Sequence, residues 1–394
     1  MQHARRVSTR AAAIGLWLLA EACSGGGTHS GGGPSPDAYT PDVAVGGAGT
    51  STSTATATST PGPQYFGILD GVPMSAAEWE ASRTRLPVAV MIDNSIDAFP
   101  QAGLEQADLV YEAFVEGGAT RFMAVYWRRE AANVEPVRSA RTPFVIWASE
   151  LDALYAHGGS AETYNEANAG GQLFDWKVRD LEAFADRGST AYFRDPDRRA
   201  PHDLATSTQK LREAAAKLAL ADPLYRVPEK PYDSWRFKQD RTEIEGFPLA
   251  GAVEVDWNAQ RFAVGTVQWW YDRATNSYLR FQFGAAHIDA SSKKQLAFTN
   301  VVVMHAPYRV VDDAGHVVYD LIGSGPAKIF LDGREIDGTW KKTGRTARTR
   351  FFTNAGDEVA FNRGSTWVEV VGPQTKVQSA ATPEQLPKLP APAR

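Results

Sequence analysis

The sequence predicts an α/β N-terminal domain followed by a mainly β C-terminal domain, a small barrel or sandwich. Three observations carry that expectation. Between residues 85 and 220, continuous apolar runs alternate with segments of helical spacing, the pattern of a layered α/β domain. Residues 226–248 are polar and proline-bearing, a compositional break that reads as a connection. From Ala252 onward, helical spacing gives way to short β-branched and aromatic runs with turn signals between them.

The first 22 residues read as an export signal. Arg5, Arg6 and Arg10 form a basic leader, and Ala11–Ala20 is apolar but shorter than the ~20 residues a bilayer-spanning helix needs. Small Ala22 precedes Cys23, the one cysteine of the chain. Two readings follow: a lipoprotein-type signal in which Cys23 is lipidated and anchors the chain to a membrane, or a plain secretory signal with an incidental cysteine. Residues 23–63 are Gly, Ser, Thr, Ala and Pro with few large apolar side chains, and cannot bury enough surface to offset the entropy of ordering. As a flexible tether they would reach roughly 35 Å.

Residues 64–225 are expected to form the α/β domain. Pro87–Asp93 reads as a strand buried on both faces. The spacing of Gln101–Glu116 predicts a helix, with Leu104, Ala107, Tyr111 and Phe114 on one stripe and Glu105, Asp108, Glu112 and Glu116 on another. Gly117-Gly118 would stop it, and Arg121–Trp127 would be the next strand. Thr142-Pro143 opens a helix through Leu154, leading to Tyr155-Ala156-His157-Gly158-Gly159. Helices are expected at Glu162–Asn168, Val178–Phe184 and Ser207–Leu220, and a strand at Ala191–Phe193. Residues 226–250 are the linker. In the second domain, 251–372, short strands are expected from Ala252–Asp256 to Thr366–Val371, with Asp332-Gly333 as a hairpin turn. Residues 373–394, rich in Pro, Ala and Gln, are expected to be disordered.

Composition narrows the function. The 394 residues are 43% hydrophobic and 22% charged, with 41 basic and 46 acidic side chains for a formal net charge of −5. A nucleic-acid binder would usually be basic, so nucleic acid is not an expected partner. A single cysteine rules out an intramolecular disulfide, and there is neither zinc-type Cys/His spacing nor a Walker-type phosphate loop, so no metal or cofactor is expected.

Many segments resemble a known family. Val90-Met91-Ile92-Asp93-Asn94, Pro100–Leu104, Val110-Tyr111-Glu112, Val115–Gly118, Thr120-Arg121-Phe122, Pro136–Arg141 and His157–Ser160 are similar to the N-terminal domain of DUF3048, the YerB-type lipoproteins of bacteria. Tyr278–Phe281, Asn300–Val303, Gly323-Ser324-Gly325, Gly338–Lys342 and Gly364–Trp367 are similar to that family's C-terminal domain. The resemblance implies a surface lipoprotein of two domains. It implies no catalytic residues.

Several groups could carry chemistry. Asp93 ends a buried strand, where α/β sheets usually bind ligands. With Glu112 and Glu116 it could act as acid and base in glycosidic cleavage or ligate a hard cation such as Ca²⁺, or the stripe of Asp108, Glu112 and Glu116 could be a solvated helix face paired with basic residues. Arg138 and Arg141 precede a helix and suit a carboxylate or phosphate, or could instead pair with Glu112 and Glu116. His157, before Gly158-Gly159, could be a general base with Ser160 nearby, or a structural histidine in a tight turn. His202 could reach the same cleft or make a loop hydrogen bond. Trp269 and Trp270 must point to opposite faces of a strand, and each of Trp269, Trp270, Trp340 and Trp367 could be core or a stacking surface. The residues expected to bind a ligand are Asp93, Asn94, Glu112, Arg121, Arg138, Ser139, Arg141 and His157, and those expected for any catalysis are Asp93, Glu112, Glu116 and His157. Two functions fit: a non-catalytic envelope lipoprotein that engages wall polymer or wall-remodelling proteins, and an extracytoplasmic hydrolase of wall glycan or peptide.

Overall fold

The structure, a computed structural model, describes residues 64–229, 232–239, 246–257 and 265–389. The leader, the tether and Cys23 lie outside the described residues. Those described are mostly strand, with four α-helices.

In chain order the main elements are helix α1 (Ala76–Ser82), strands β1 (Val88–Asp93), β2 (Leu109–Phe114) and β3 (Thr120–Tyr126), helix α2 (Thr142–Glu150), β4 (Leu154–His157), α3 (Ala169–Asp175), β5 (Arg179–Glu182) and α4 (Thr208–Leu218). Strands β6 (Ala252–Asp256), β7 (Thr266–Asp272), β8 (Ser277–Gln282), β9 (Asn300–His305), β10 (Gly323–Leu331), β11 (Arg334–Lys342), β12 (Arg350–Thr353), β13 (Thr366–Val371) and β14 (Lys376–Ala380) follow.

Ten strands make one sheet in the order β12-β11-β10-β9-β13-β2-β3-β1-β4-β5. Strand β13 lies parallel to both β9 and β2, so segments more than 250 residues apart in sequence are joined by main-chain hydrogen bonds at the sheet's centre. Every residue of β1, β2 and β13 is buried. That is why their sequences, VAVMID, LVYEAF and TWVEVV, are near-continuous apolar runs rather than alternating ones. A second sheet pairs β8, β7, β6 and β14 in that order. Between β10 and β11, Asp332 (φ 54°) and Gly333 (φ 66°) make the two-residue hairpin their dipeptide predicts.

Four expectations are overturned. Residues 101–116 are not a helix: Leu104–Gln106 is one 3₁₀ turn after Gly103 (φ 90°), and Leu109–Phe114 is β2. A helical stripe needs a solvated opposite face, and the centre of a sheet offers none, so β-forming Val110, Tyr111 and Phe114 prevail. The acidic stripe of Asp108, Glu112 and Glu116 therefore does not exist. Within 178–184, Arg179–Glu182 is likewise strand, β5, parallel to β4, and no helix covers 162–168. Finally, the tail is not free. Residues 376–380 form β14, which pairs antiparallel with β6 (Val255 opposite Val377), and Leu386 is buried. The open edge of β6 is a template for such pairing. Within the expected linker, Arg236–Phe237 pairs with Ala360–Phe361 and buried Trp235 stacks on Phe361 at 4.8 Å.

Helix α2 is fastened to the other half of the chain by its last residue. The Glu150 side chain is fully buried and accepts from Lys342 Nζ (2.6 Å), Arg348 Nη1 (2.6 Å) and Thr349 Oγ1 (2.7 Å). Two cations and a hydroxyl satisfy one carboxylate, which is the condition for burying it. Tyr111 of β2 stacks on Trp147 of the same helix at 4.6 Å.

Candidate functional site

The predicted residues fall into a surface cleft, a buried network beneath it, and a second region behind a shared wall. The cleft opens beyond the carboxyl end of β1, where Asp93 is paired in register with Arg121 of β3. It encloses about 450 Å³, with Asp93, Glu116, Thr120, Arg121, Arg138 and His202 among its lining residues. Asp93 Oδ2 is 3.1 Å from Arg138 Nε and 3.0 Å from His202 Nδ1. Arg121 donates from Nη2 to Glu116 Oε1 at 2.9 Å and from Nη1 to the Ser139 carbonyl at 2.7 Å. Arg141 grips the same carboxylate through Nε (2.7 Å to Oε2) and Nη2. Burial opposes ionisation of Glu116, but Arg121 and Arg141 overcome it and hold the carboxyl at about 2. Burial, and then the nearby Arg141 charge, lower Arg121 to about 10. Guanidinium groups are crowded here.

Glu112 and Asn94 are not in the cleft but in the network under it. Glu112 Oε2 accepts from Arg280 Nη2 at 2.8 Å, and Oε1 accepts from Asn94 Nδ2 (3.0 Å) and Thr120 Oγ1 (2.7 Å). Thr120 lines the cleft as well, so the network reaches the cleft floor. Arg280 Nη1 also contacts Gln282 Oε1 and His287 Nδ1 (2.6 Å), and His287 Nε2 is 2.8 Å from Gln101 Oε1. Burial, then the Arg280 charge, push His287 well below the usual range, so it is neutral, accepting from Arg280 and donating to Gln101. The Arg280 guanidinium lies over Trp367 at 4.6 Å. Beside it, Glu369 takes a hydrogen bond from Trp269 Nε1 at 3.0 Å. Burial, then the Glu112 charge, raise Glu369 well above the usual carboxylate range. The neutral acid is the form this surrounding favours.

His157 is absent from both groups. Its ring is fully buried, with Nδ1 2.7 Å from the Gly159 carbonyl and Nε2 2.9 Å from Asp180 Oδ1. Residues 138–141 pair with 158–161 and stand between His157 and the cleft, through Gly158 N to Arg138 O (3.0 Å) and Ala140 N to Gly159 O (2.9 Å). Ser139 Oγ serves this wall by donating to the Gly158 carbonyl at 2.9 Å. Ser160 lines a separate cavity on the far side. Of the tryptophans, Trp269, Trp340 and Trp367 are buried and Trp270, on the opposite face to Trp269, is half-buried.

Sequence reasoning missed the members contributed by the second half of the chain: Arg280, His287 and Glu369. A signal existed for Glu369, because a carboxylate inside the apolar run TWVEVV must find a partner when the strand is buried.

Known proteins share this architecture. The profile described as "Protein of unknown function (DUF3048) N-terminal domain" matches residues 74–221, and that of the DUF3048 C-terminal domain matches residues 253–368. Over 321 residues the chain is 27% identical to "Putative lipoprotein YerB" of Bacillus subtilis (strain 168), covering 77% of this chain and 89% of that one. The crystal structure of YerB protein from Bacillus subtilis superposes with a TM-score of 0.68 at 26% identity, over 80% of this chain and 100% of that one.

Proposed function

This chain belongs to the DUF3048 family, and from that premise we propose that it is a membrane-anchored extracytoplasmic lipoprotein whose cleft holds an anionic group of a wall polymer or wall-remodelling protein without cleaving it. Lipid on Cys23 would be the anchor and residues 23–63 the tether, which places the folded body within tens of ångströms of the membrane's outer face.

The observation that carries the reading is the pairing inside the cleft. Three guanidinium groups, those of Arg121, Arg138 and Arg141, gather around the carboxylates of Asp93 and Glu116, and these two are already held: Asp93 by Arg138, Glu116 by Arg121 and Arg141; Asp97, the third carboxylate on the lining, is exposed. A carboxyl held at about 2 is poorly matched to proton transfer near neutral pH. Glu112, the other expected acid, is sealed inside on Arg280. What the cleft offers a visitor is the partly exposed side chain of Arg138, with His202 beside it. That is a seat for phosphate or carboxylate.

Purified protein mixed with a poly(glycerol phosphate) chain tests this. Retention of the polymer without turnover, lost in Arg138→Ala, is the expected result. Release of polymer fragments, abolished by Asp93→Asn or Glu116→Gln, would establish a hydrolase instead.

A further inference from the structure

The structure assigns a saccharide-binding groove to the cavity beyond the carboxyl end of β5, on the other side of the 138–141 wall from the guanidinium cleft. The assignment goes beyond the reading above and does not depend on it. The cavity encloses about 530 Å³, with Tyr164, Phe174, Glu162, Asp180, Glu182 and Arg187 among its lining residues. That volume is in the range of small-ligand sites, roughly 300–1,000 Å³.

The aromatic residues carry the argument. Among the described residues five aromatic side chains are exposed, and four of them, Tyr164, Phe174, Phe184 and Phe193, fall between residues 164 and 193. Singly scattered exposed apolar residues are ordinary, whereas a cluster marks a contact surface. Tyr164 is 113% exposed and Phe174 83%, and both line this cavity. Nor does Tyr164 sit on a loose loop. Its neighbour Thr163 donates to Asn165 Oδ1 at 2.8 Å, and Asn165 Nδ2 donates to Asp312 Oδ2 at 3.0 Å. Glu166, next in line, is ion-paired with Arg309. The ring is thus held out into water by a braced backbone, a preorganised platform.

The polar groups choose the ligand. Asp180 and Glu182 are two residues apart on β5 and share a face, with Cα atoms about 7 Å apart. Asp180 is braced by buried His157 at 2.9 Å and approached by Arg187 Nη1 at 3.6 Å. Three carboxylates and one guanidinium give the cavity a negative balance that repels phosphate polymers. A row of acceptors beside a donor and two bare rings suits an uncharged sugar chain instead: the C–H faces of its rings stack on Tyr164 and Phe174, and its hydroxyls bridge to Asp180, Glu182 and Arg187.

Calorimetric titration of the purified full-length protein with an N-acetylglucosamine tetramer tests the assignment, with tetralysine as the cationic alternative. The tetramer is expected to bind. Tyr164→Ala and Phe174→Ala should each weaken it about tenfold, and Tyr164→Phe, which keeps the ring, should retain it. Both side chains are exposed, so unchanged circular dichroism melts will show that the variants fold. No binding of the tetramer, binding that survives both alanine substitutions together, or binding of tetralysine alone would overturn it. Because the tetramer carries no anion, its failure to bind would leave the guanidinium cleft untouched.

Discussion

Glu112 and Glu369 face each other in register on adjacent parallel strands, β2 and β13, and the buried guanidinium of Arg280 lies beside both. Two carboxylates and one cation cannot all be charged cheaply in a fully buried site. Arg280 donates to Glu112 at 2.8 Å, while burial, and then the Glu112 charge, push Glu369 toward its neutral form. The centre of the sheet, where the two halves of the chain meet, is thereby pinned by charge and hydrogen bonds as well as by apolar packing.

Removing the cation should expose how much rests on it. Arg280→Met leaves Glu112 buried without its partner, and breaking one side of such a pair costs about 3–5 kcal/mol. The double variant Arg280→Met, Glu112→Gln should recover much of that loss. Urea unfolding midpoints of the three proteins check this, and equal destabilisation in single and double variants would contradict it.

The same network predicts an unusual pH response. His287 is neutral when folded and protonated when unfolded below about 6.5, so alone it would make stability fall as pH falls through that value. Glu369 is protonated when folded and ionised when unfolded above about 4.5, so its contribution is present at low pH and lost as pH rises. Between these values the unfolded chain gains one proton on the histidine and loses one on the glutamate, and the two slopes cancel. Glu369→Gln keeps the shape and removes one titration, so relative to the parent its stability should drop by about 1.4 kcal/mol per pH unit on acidification from 6 to 5. A slope identical to the parent's would show that Glu369 is ionised in the fold.

The tail has a structural duty. Deleting residues 376–389 strips β14 from β6 and leaves an unpaired strand edge. A lower melting temperature and concentration-dependent self-association on gel filtration are expected. An unchanged melt and a monomeric profile would mean that the tail is dispensable.

Ligand capture in the guanidinium cleft should be electrostatic in character. Affinity for poly(glycerol phosphate) should decline steadily as salt rises, because exposed charges are screened over about 10 Å at 0.1 M. A salt-independent affinity would point to apolar contact elsewhere on the surface.

How much of this was legible beforehand depends on whether the signal was local. The β-branched runs of the second half, the Asp332-Gly333 turn and the helix opened by Thr142-Pro143 all rest on neighbours in sequence, and each could be read there. Residues 101–116 could not, because their apolar positions fit a 3.6-residue period while their fate was decided by β13, contributed by residues 366–371. The cleft was partly readable: Asp93, Arg121, Arg138 and His202 do meet, brought there by strand ends and the loop after Pro201. Glu112 and His157 were singled out for their chemistry, but long-range pairing turned one toward Arg280 and the other toward Asp180.

The most direct test of the central claim is equilibrium binding of poly(glycerol phosphate) to purified protein, wild type against Arg138→Ala, with the supernatant assayed for polymer fragments. The account predicts binding by the wild type, at least tenfold weaker binding by the variant, and intact polymer throughout. Equal binding by both proteins, or cleavage of the polymer, would contradict it.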